Sequence, residues 1–206
     1  MQLIRKYFPD LDQEQTGRYE KLLEIIPILN EKVNIISRKD MGSLEERHIL
    51  HSLAIAKKFS FDENTTVIDV GTGGGFPGIP LAILFPETSF TLVDSIGKKI
   101  RVVQEIAEVL ELNNVTILND RMENLKMTAN FVVSRAVTAL PQLYNWSGKL
   151  IRSGRCNAGP NGLISLKGGD LEKELKPFRN RTEMYPISTW FEESFFYSKK
   201  IVYLKK

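Results

Sequence analysis

Cysteine is almost missing from this chain: Cys156 is the only one in 206 residues, so no internal disulfide can form. Nor does any Cys/His spacing match a zinc-ligand pattern, and no metal is expected. Long apolar runs are missing too. The first fourteen residues carry Arg5, Lys6, Asp10, Asp12 and Glu14, which leaves no stretch suited to a secretory signal. The longest apolar stretch, 76–85, is broken by Pro77, Gly78 and Pro80 and is far too short to cross a bilayer. There is no internal repeat and no low-complexity linker. The expectation is a cytoplasmic, monomeric protein with no membrane partner.

What is present is ordinary in amount: 42% hydrophobic and 26% charged residues exclude a disordered chain. The length suits one domain with at most a short appendage. A net charge of +3 and a pI near 8.9 permit a polyanionic partner without requiring one.

Helical periodicity dominates the first sixty residues. Tyr19, Leu22, Leu23, Ile26 and Val33 recur at helical spacing over 12–33, where Pro27 is expected to kink or end the helix. A second helix is expected over 43–58, with Ser43 and Glu46 as a capping box and Leu50, Leu53, Ala54 and Lys57 setting its period. These two form an N-terminal helical cap, residues 1–60.

From residue 61 to 206 the pattern alternates. Strands are expected at 67–70, 90–93, 115–118, 131–134 and 163–167, with helices at 78–84, 98–110 and 139–150 between them. A loop rich in Gly, Asn and Pro covers 153–162, and two closing extended segments lie near 182–190 and 199–204. Such alternation implies a doubly wound, mostly parallel α/β sheet of seven strands in one compact unit.

The most informative stretch is Val67-Ile68-Asp69-Val70-Gly71-Thr72-Gly73-Gly74-Gly75-Phe76-Pro77-Gly78. Glycines between a strand and a helix let the backbone turn sharply and let a ligand come close. A dinucleotide fingerprint needs a third glycine at position 76, which is Phe76, so a nicotinamide dehydrogenase is disfavoured. The spacing acid-x-G-x-G-x-G over Asp69, Gly71, Gly73 and Gly75 resembles instead the first motif of class I methyltransferases. In that reading the glycines cradle the methionine part of S-adenosylmethionine. Asp69 then orients the loop or the donor's amino group, or simply caps the turn. Asp94 ends the second strand and is placed to accept hydrogen bonds from ribose hydroxyls, a role compatible with capping the next helix.

Longer matches point further. Arg47-His48-Ile49 with Ser52, the run from Asp69 to Pro80, Asp94-Ser95-Ile96-Gly97-Lys98-Lys99 with Arg101, Arg121-Met122-Glu123, Ser134-Arg135-Ala136 and Leu166-Lys167-Gly168 occur in order. Together they resemble the ribosomal RNA small-subunit methyltransferase G family, also called glucose-inhibited division protein B. The resemblance implies a Rossmann-like class I fold and methyl transfer from S-adenosylmethionine to N7 of a guanine in 16S ribosomal RNA, at the position usually numbered 527. It also implies that Gly71, Phe76, Met122, Glu123 and Arg135 contact the cofactor. Relatives can carry an acid where His51 stands.

The chemistry agrees with such a target. Guanine N7 has an in-plane lone pair and no proton, so no general base is needed. Orientation of the reactants can supply roughly 7–11 kcal/mol in well-ordered systems. Exocyclic amine methylation is disfavoured because Ser134-Arg135-Ala136-Val137 replaces the usual Asn/Asp-Pro-Pro-aromatic motif. Carbon-5 methylation needs a cysteine after the fourth strand, and Cys156 lies elsewhere. Arg135, at the end of a central strand, is the candidate catalytic residue by positioning, toward the cofactor carboxylate, a phosphate or the guanine. His48, Lys98, Lys99 and Lys167 are candidate RNA contacts, each also readable as packing or solvated charge. Two alternatives stay open: a class I methyltransferase of another substrate, and a non-catalytic RNA-binding module.

Overall fold

The computed structural model describes residues 1–156 and 159–206. Its centre is a seven-stranded sheet of β1 (Thr66–Val70), β2 (Ser89–Asp94), β3 (Val115–Asn119), β4 (Phe131–Arg135), β5 (Gly162–Gly168), β6 (Thr182–Pro186) and β7 (Lys199–Lys205). The spatial order is β3-β2-β1-β4-β5-β7-β6. The first five are parallel, and β7 runs antiparallel between β5 and β6. This is the doubly wound, mostly parallel architecture expected. Central strands such as Phe131-Val132-Val133-Ser134 are buried throughout, as strands covered on both faces must be.

The chain reverses its strand order between β1 and β4, neighbours in the sheet but distant in sequence. At such a switch point the strands' carboxyl ends splay apart and leave a crevice. Helices α3 (Gly78–Leu84), α4 (Gly97–Val109) and α5 (Leu140–Ser147) follow β1, β2 and β4. The last expected helix, 139–150, is α-helical to Ser147 and tightens to a 3-10 turn over Gly148–Leu150.

The N-terminal segment packs on this layer. Helices α1 (Gln2–Tyr7) and α2 (Gln13–Lys32) share one apolar cluster with the sheet, running from Ile4, Leu22 and Ile26 to Phe131 and Tyr203. Of the two outcomes expected at Pro27, a kink or an end, the end does not occur: α2 continues to Lys32. A proline inside a helix costs about 3 kcal/mol. Burial of Tyr19, Leu22, Ile26 and Leu29 on one face, each contributing about 1.5–3 kcal/mol, outweighs it. The capping box also lies elsewhere than predicted. Asp12 accepts from the Gln15 amide at 2.7 Å, and the Gln15 side chain accepts from the Asp12 amide at 3.2 Å.

Residues 43–58 are helical but irregular. A 3-10 turn (Arg38–Ser43) passes into a π-helical turn (Glu45–Leu50), a short α-turn (His51–Leu53) and another 3-10 turn (Ala54–Lys57). Neither Ser43 nor Glu46 caps it by side chain. π-turns often mark functional sites because they re-aim side chains. Here Arg47, His48 and His51 are turned toward the crevice. The segment expected extended over 182–190 is strand only to Pro186, then turns over Ile187–Thr189 to bury Ile187. In the predicted 153–162 loop, Arg155–Cys156 pairs antiparallel with Gly159–Pro160, and residues 157 and 158 lie outside the described residues. No helix among the described residues is long and apolar enough to cross a membrane.

Candidate active site

The crevice is a cavity of about 680 Å³ at the carboxyl ends of β1, β2, β3 and β4, in the size range of small-molecule sites. The loop after β1 forms its floor. Gly71 and Thr72 donate their amides to Val93 O at 2.9 and 3.0 Å, pinning the loop to β2. Gly71 has φ +67°, and a Cβ there would stand 2.6 Å from Val137 Cγ2, so both backbone shape and space demand glycine. Gly75 has φ +90°, and its Cβ would meet Ile79 at 2.7 Å.

Asp94 clamps this loop. Its Oδ2 accepts from the Gly73 amide at 2.9 Å, and its Oδ1 accepts from the Ile96 amide at 2.8 Å. The carboxylate is nearly buried yet lines the cavity. Each oxygen keeps a lone pair, so vicinal hydroxyls can still donate to it.

Asp69 is wholly buried beneath the loop. Oδ2 accepts from Thr72 Oγ1 at 2.6 Å and from the Gly78 amide at 2.8 Å. Oδ1 is buried with no partner among the described residues. Burial pushes this carboxyl up to about 7, opposed by the Thr72 and Gly78 hydrogen bonds and by Arg135.

Arg135, at the end of β4, crosses the other side. Nη1 donates to Arg47 O at 3.1 Å, Nη2 donates to His48 Nδ1 at 3.0 Å, and the guanidinium lies 5.0 Å from the Phe76 ring centroid. It has no carboxylate within ion-pair distance among the described residues. Burial pushes it down to about 10, with Asp69 and Asp40 opposing, so it remains a cation at neutral pH. Burial, then the Arg135 charge, pushes His48 down to about 4. Because an arginine can only donate, neutral His48 must accept at Nδ1 and carry its proton on Nε2. The Ser37 hydroxyl, then the Arg47 guanidinium at 2.9 Å, hold Asp40 below its ordinary value.

Of the predicted site residues, Gly71, Gly73, Phe76, Asp94, Met122, Glu123 and Arg135 converge on the cavity wall, and so do His48 and Lys99. Asp69 and Gly75 do not. Asp69 braces the loop from behind, the loop-orienting alternative left open for it, and Gly75 faces Ile79. Lys98 is exposed outside the wall. Lys167 is largely covered and spends its charge on Glu174 at 2.9 Å, away from the crevice. His51 packs edge-on against Phe195 at 5.4 Å and Phe196 at 6.1 Å, and burial lowers its pKa well below the ordinary value.

Sequence reasoning missed three parts of the wall. Asp40 and Phe195 arrive from segments far from the glycine loop, and Trp146 arrives from α5. Only Phe195 carried a signal, in the run of three aromatics at 195–197 followed by Lys199 and Lys200.

Residues 15–195 match the family described as rRNA small subunit methyltransferase G. The chain belongs to that family. Among its relatives, ribosomal RNA small subunit methyltransferase G of Bacteroides thetaiotaomicron is 54% identical over 203 residues, 98% of each chain. The protein of the same name from Flavobacterium johnsoniae is 52% identical over 204 residues, 99% of this chain and 97% of that one. Among solved structures, an O-methyltransferase from Bacillus cereus in complex with SAH covers 100% of this chain and 96% of its own, with a TM-score of 0.57 at 16% identity. A SAM-dependent methyltransferase from Aquifex aeolicus covers 83% of this chain and 100% of its own, with a TM-score of 0.55 at 16% identity. These structures share the fold, and membership of the small subunit methyltransferase G family makes the chain a class I methyltransferase.

Proposed function

We propose that the chain transfers a methyl group from S-adenosylmethionine to N7 of a guanine in 16S ribosomal RNA, with residues 1–60 as a helical cap on a methyltransferase unit of 61–206. One observation carries the reading: the glycine loop, Asp94 and the unpaired cation of Arg135 meet in one cavity of a chain matched to relatives along nearly its whole length. The residues suit the donor. Gly71 and Gly73 put bare backbone on the cavity floor, the Thr72 hydroxyl is turned onto Asp69 beneath the loop, and Asp94 retains acceptor capacity for a sugar.

When bound, S-adenosylmethionine supplies an electrophilic methyl on a sulfonium sulfur. The protein's contribution is to bind and orient. Gly71, Gly73 and Phe76 form the floor, Asp94 holds the sugar, and Met122 and Glu123 border the adenine. Arg135 is the catalytic positioning residue, its guanidinium fixed by Arg47 O, His48 and the Phe76 face so that its remaining donors are presented to an electron-rich acceptor. Neither His48 nor Asp69 is set up as a general base: the Nδ1 lone pair of His48 is taken by Arg135, and Asp69 lies behind the loop. An acceptor nitrogen that carries no proton needs none.

The test is mass spectrometry of 16S ribosomal RNA, free and in small subunits, after incubation with purified protein and S-adenosylmethionine. The expected product is a single 7-methylguanosine. Methyl on another atom, or none in RNA, would falsify the assignment.

A further inference from the structure

The cavity is electrically lopsided. Its sugar end mixes Asp94, Asp120 and Glu123 with Lys99 and Arg121. The opposite end brings Arg47 and Arg135 onto the wall with Phe76 and Phe195, Lys199 lies over the Phe195 ring, and Asp40, ion-paired to Arg47 at 2.9 Å, is the one carboxylate in that part of the wall. Arg47 Cζ stands 5.4 Å and Lys199 Nζ 4.8 Å from the Phe195 centroid. Both histidines there, His48 and His51, are neutral at physiological pH, so the excess of positive charge does not depend on them.

These cations are incompletely used. Lys199 has no ion pair among the described residues, and Arg47 keeps a buried Nε without an acceptor among them. In the same turn as Phe195 and two residues before Lys199, Tyr197 is 69% exposed, more than any other large apolar side chain among the described residues. Water gains nothing from an aromatic ring held out in a turn that leads into Lys199. A single-stranded nucleic acid does, because a base stacks on the ring while the flanking phosphates meet the cations.

We propose that Ser194–Ser198 with Lys199 and Arg47 is the RNA landing surface of the active site: a nucleotide flanking the target stacks on Tyr197 and its phosphate lies against Lys199 and Arg47. A protein partner is the poorer fit, since apolar cover for Tyr197 alone would leave the cations unmatched. The surface is continuous with the catalytic cavity through Phe195. RNA therefore enters from the cap side, between the π-turn of 45–50 and the segment before β7, and the cofactor occupies the acidic end.

This inference rests on the RNA methyltransferase reading, and its test separates the two. Initial rates on deproteinised 16S RNA and on small subunits are measured for the wild type, Tyr197→Ala, Tyr197→Phe and Lys199→Gln, beside calorimetric affinity for S-adenosylhomocysteine. Tyr197→Ala is expected to raise KM for RNA by about fivefold or more, and Tyr197→Phe to restore it, with kcat and S-adenosylhomocysteine affinity unchanged. Lys199→Gln is expected to reduce the slope of log KM against log salt by about 0.7–1, one phosphate contact. A wild type active on RNA with variants that match its KM and salt slope overturns the surface alone. Variants that lose S-adenosylhomocysteine affinity in step with KM overturn it too, as a structural effect. A wild type that labels no RNA overturns both readings.

Discussion

Replacing Asp94 separates two roles that the structure superimposes on one carboxylate. It accepts the Gly73 and Ile96 amides at 2.9 and 2.8 Å, the first bond holding the glycine loop and the second its own turn into α4, whether or not a ligand is present. Bonds to an ionised acceptor are worth about 1.5–3 kcal/mol each, but amides beside a wet cavity recover water when the acceptor goes. Asp94→Ala should therefore cost about 1–3 kcal/mol of stability, a fall in Tm of roughly 2–10 °C for a chain of this length. If the carboxylate also binds ribose hydroxyls, affinity for S-adenosylhomocysteine falls by a further 1–3 kcal/mol, about 5- to 150-fold. Asp94→Asn is the sharper probe. Its single carbonyl oxygen keeps one of the two amides and surrenders the other, and its NH2 repels a donor hydroxyl. Thermal unfolding read by circular dichroism and calorimetry with S-adenosylhomocysteine at 25 °C give the two effects separately. A lowered Tm with affinity within twofold of wild type would make Asp94 a loop clamp and nothing more, and the sugar assignment would fall.

Three further outcomes are expected. Arg135→Lys loses the planar fork that bridges Arg47 O and His48, and misplacement on the scale of 1 Å should lower kcat by about 100-fold, measured on small subunits; retention of half the wild-type rate refutes the positioning role. In a Trp190→Phe background, the remaining Trp146 lines the cavity, so its emission should change when S-adenosylhomocysteine binds; constant emission despite calorimetric binding would place the adenine elsewhere. Asp69 has its folded pKa raised from 3.8 to about 7, so the folded protein holds a proton that the unfolded chain has released. Its contribution to stability is therefore largest below about pH 4 and is lost as pH rises to about 7. Asp69→Asn, which cannot ionise, should gain on the wild type across that window by on the order of 4 kcal/mol, seen as diverging Tm curves; parallel curves would refute a raised carboxyl.

Much of the sheet was readable because its strands are buried on both faces. Val67-Ile68 and Phe131-Val132-Val133 leave no polar face to confuse the period, and a glycine or an acid closes β1, β2, β3 and β5. What misled was local chemistry overridden by packing. Pro27 marks a stop that the buried face of α2 overrules, and Ser43 offers a cap that the 3-10 and π turns never use. The antiparallel insertion of β7 between β5 and β6 was not written in either strand, since edge exchange is decided by which partner covers Ile201 and Tyr203.

The site divides along the same line. Its cofactor half is local: Asp69 to Gly78 is one continuous loop, and Asp94 follows at the end of the adjacent strand, so spacing alone carries the geometry. Its other half is assembled from Asp40, Arg47, His48, Arg135, Phe195 and Lys199, spread over some 160 positions that no periodicity connects. The hinge between the halves is Arg135. A buried guanidinium without a carboxylate partner is costly, and here only neutral acceptors, Arg47 O and His48 Nδ1, together with the Phe76 face, sustain it. Both acceptors come from one π-turn in the first sixty residues and the ring from the glycine loop, so that turn supports the cavity: remove it, and Arg135 loses both of its hydrogen-bond partners.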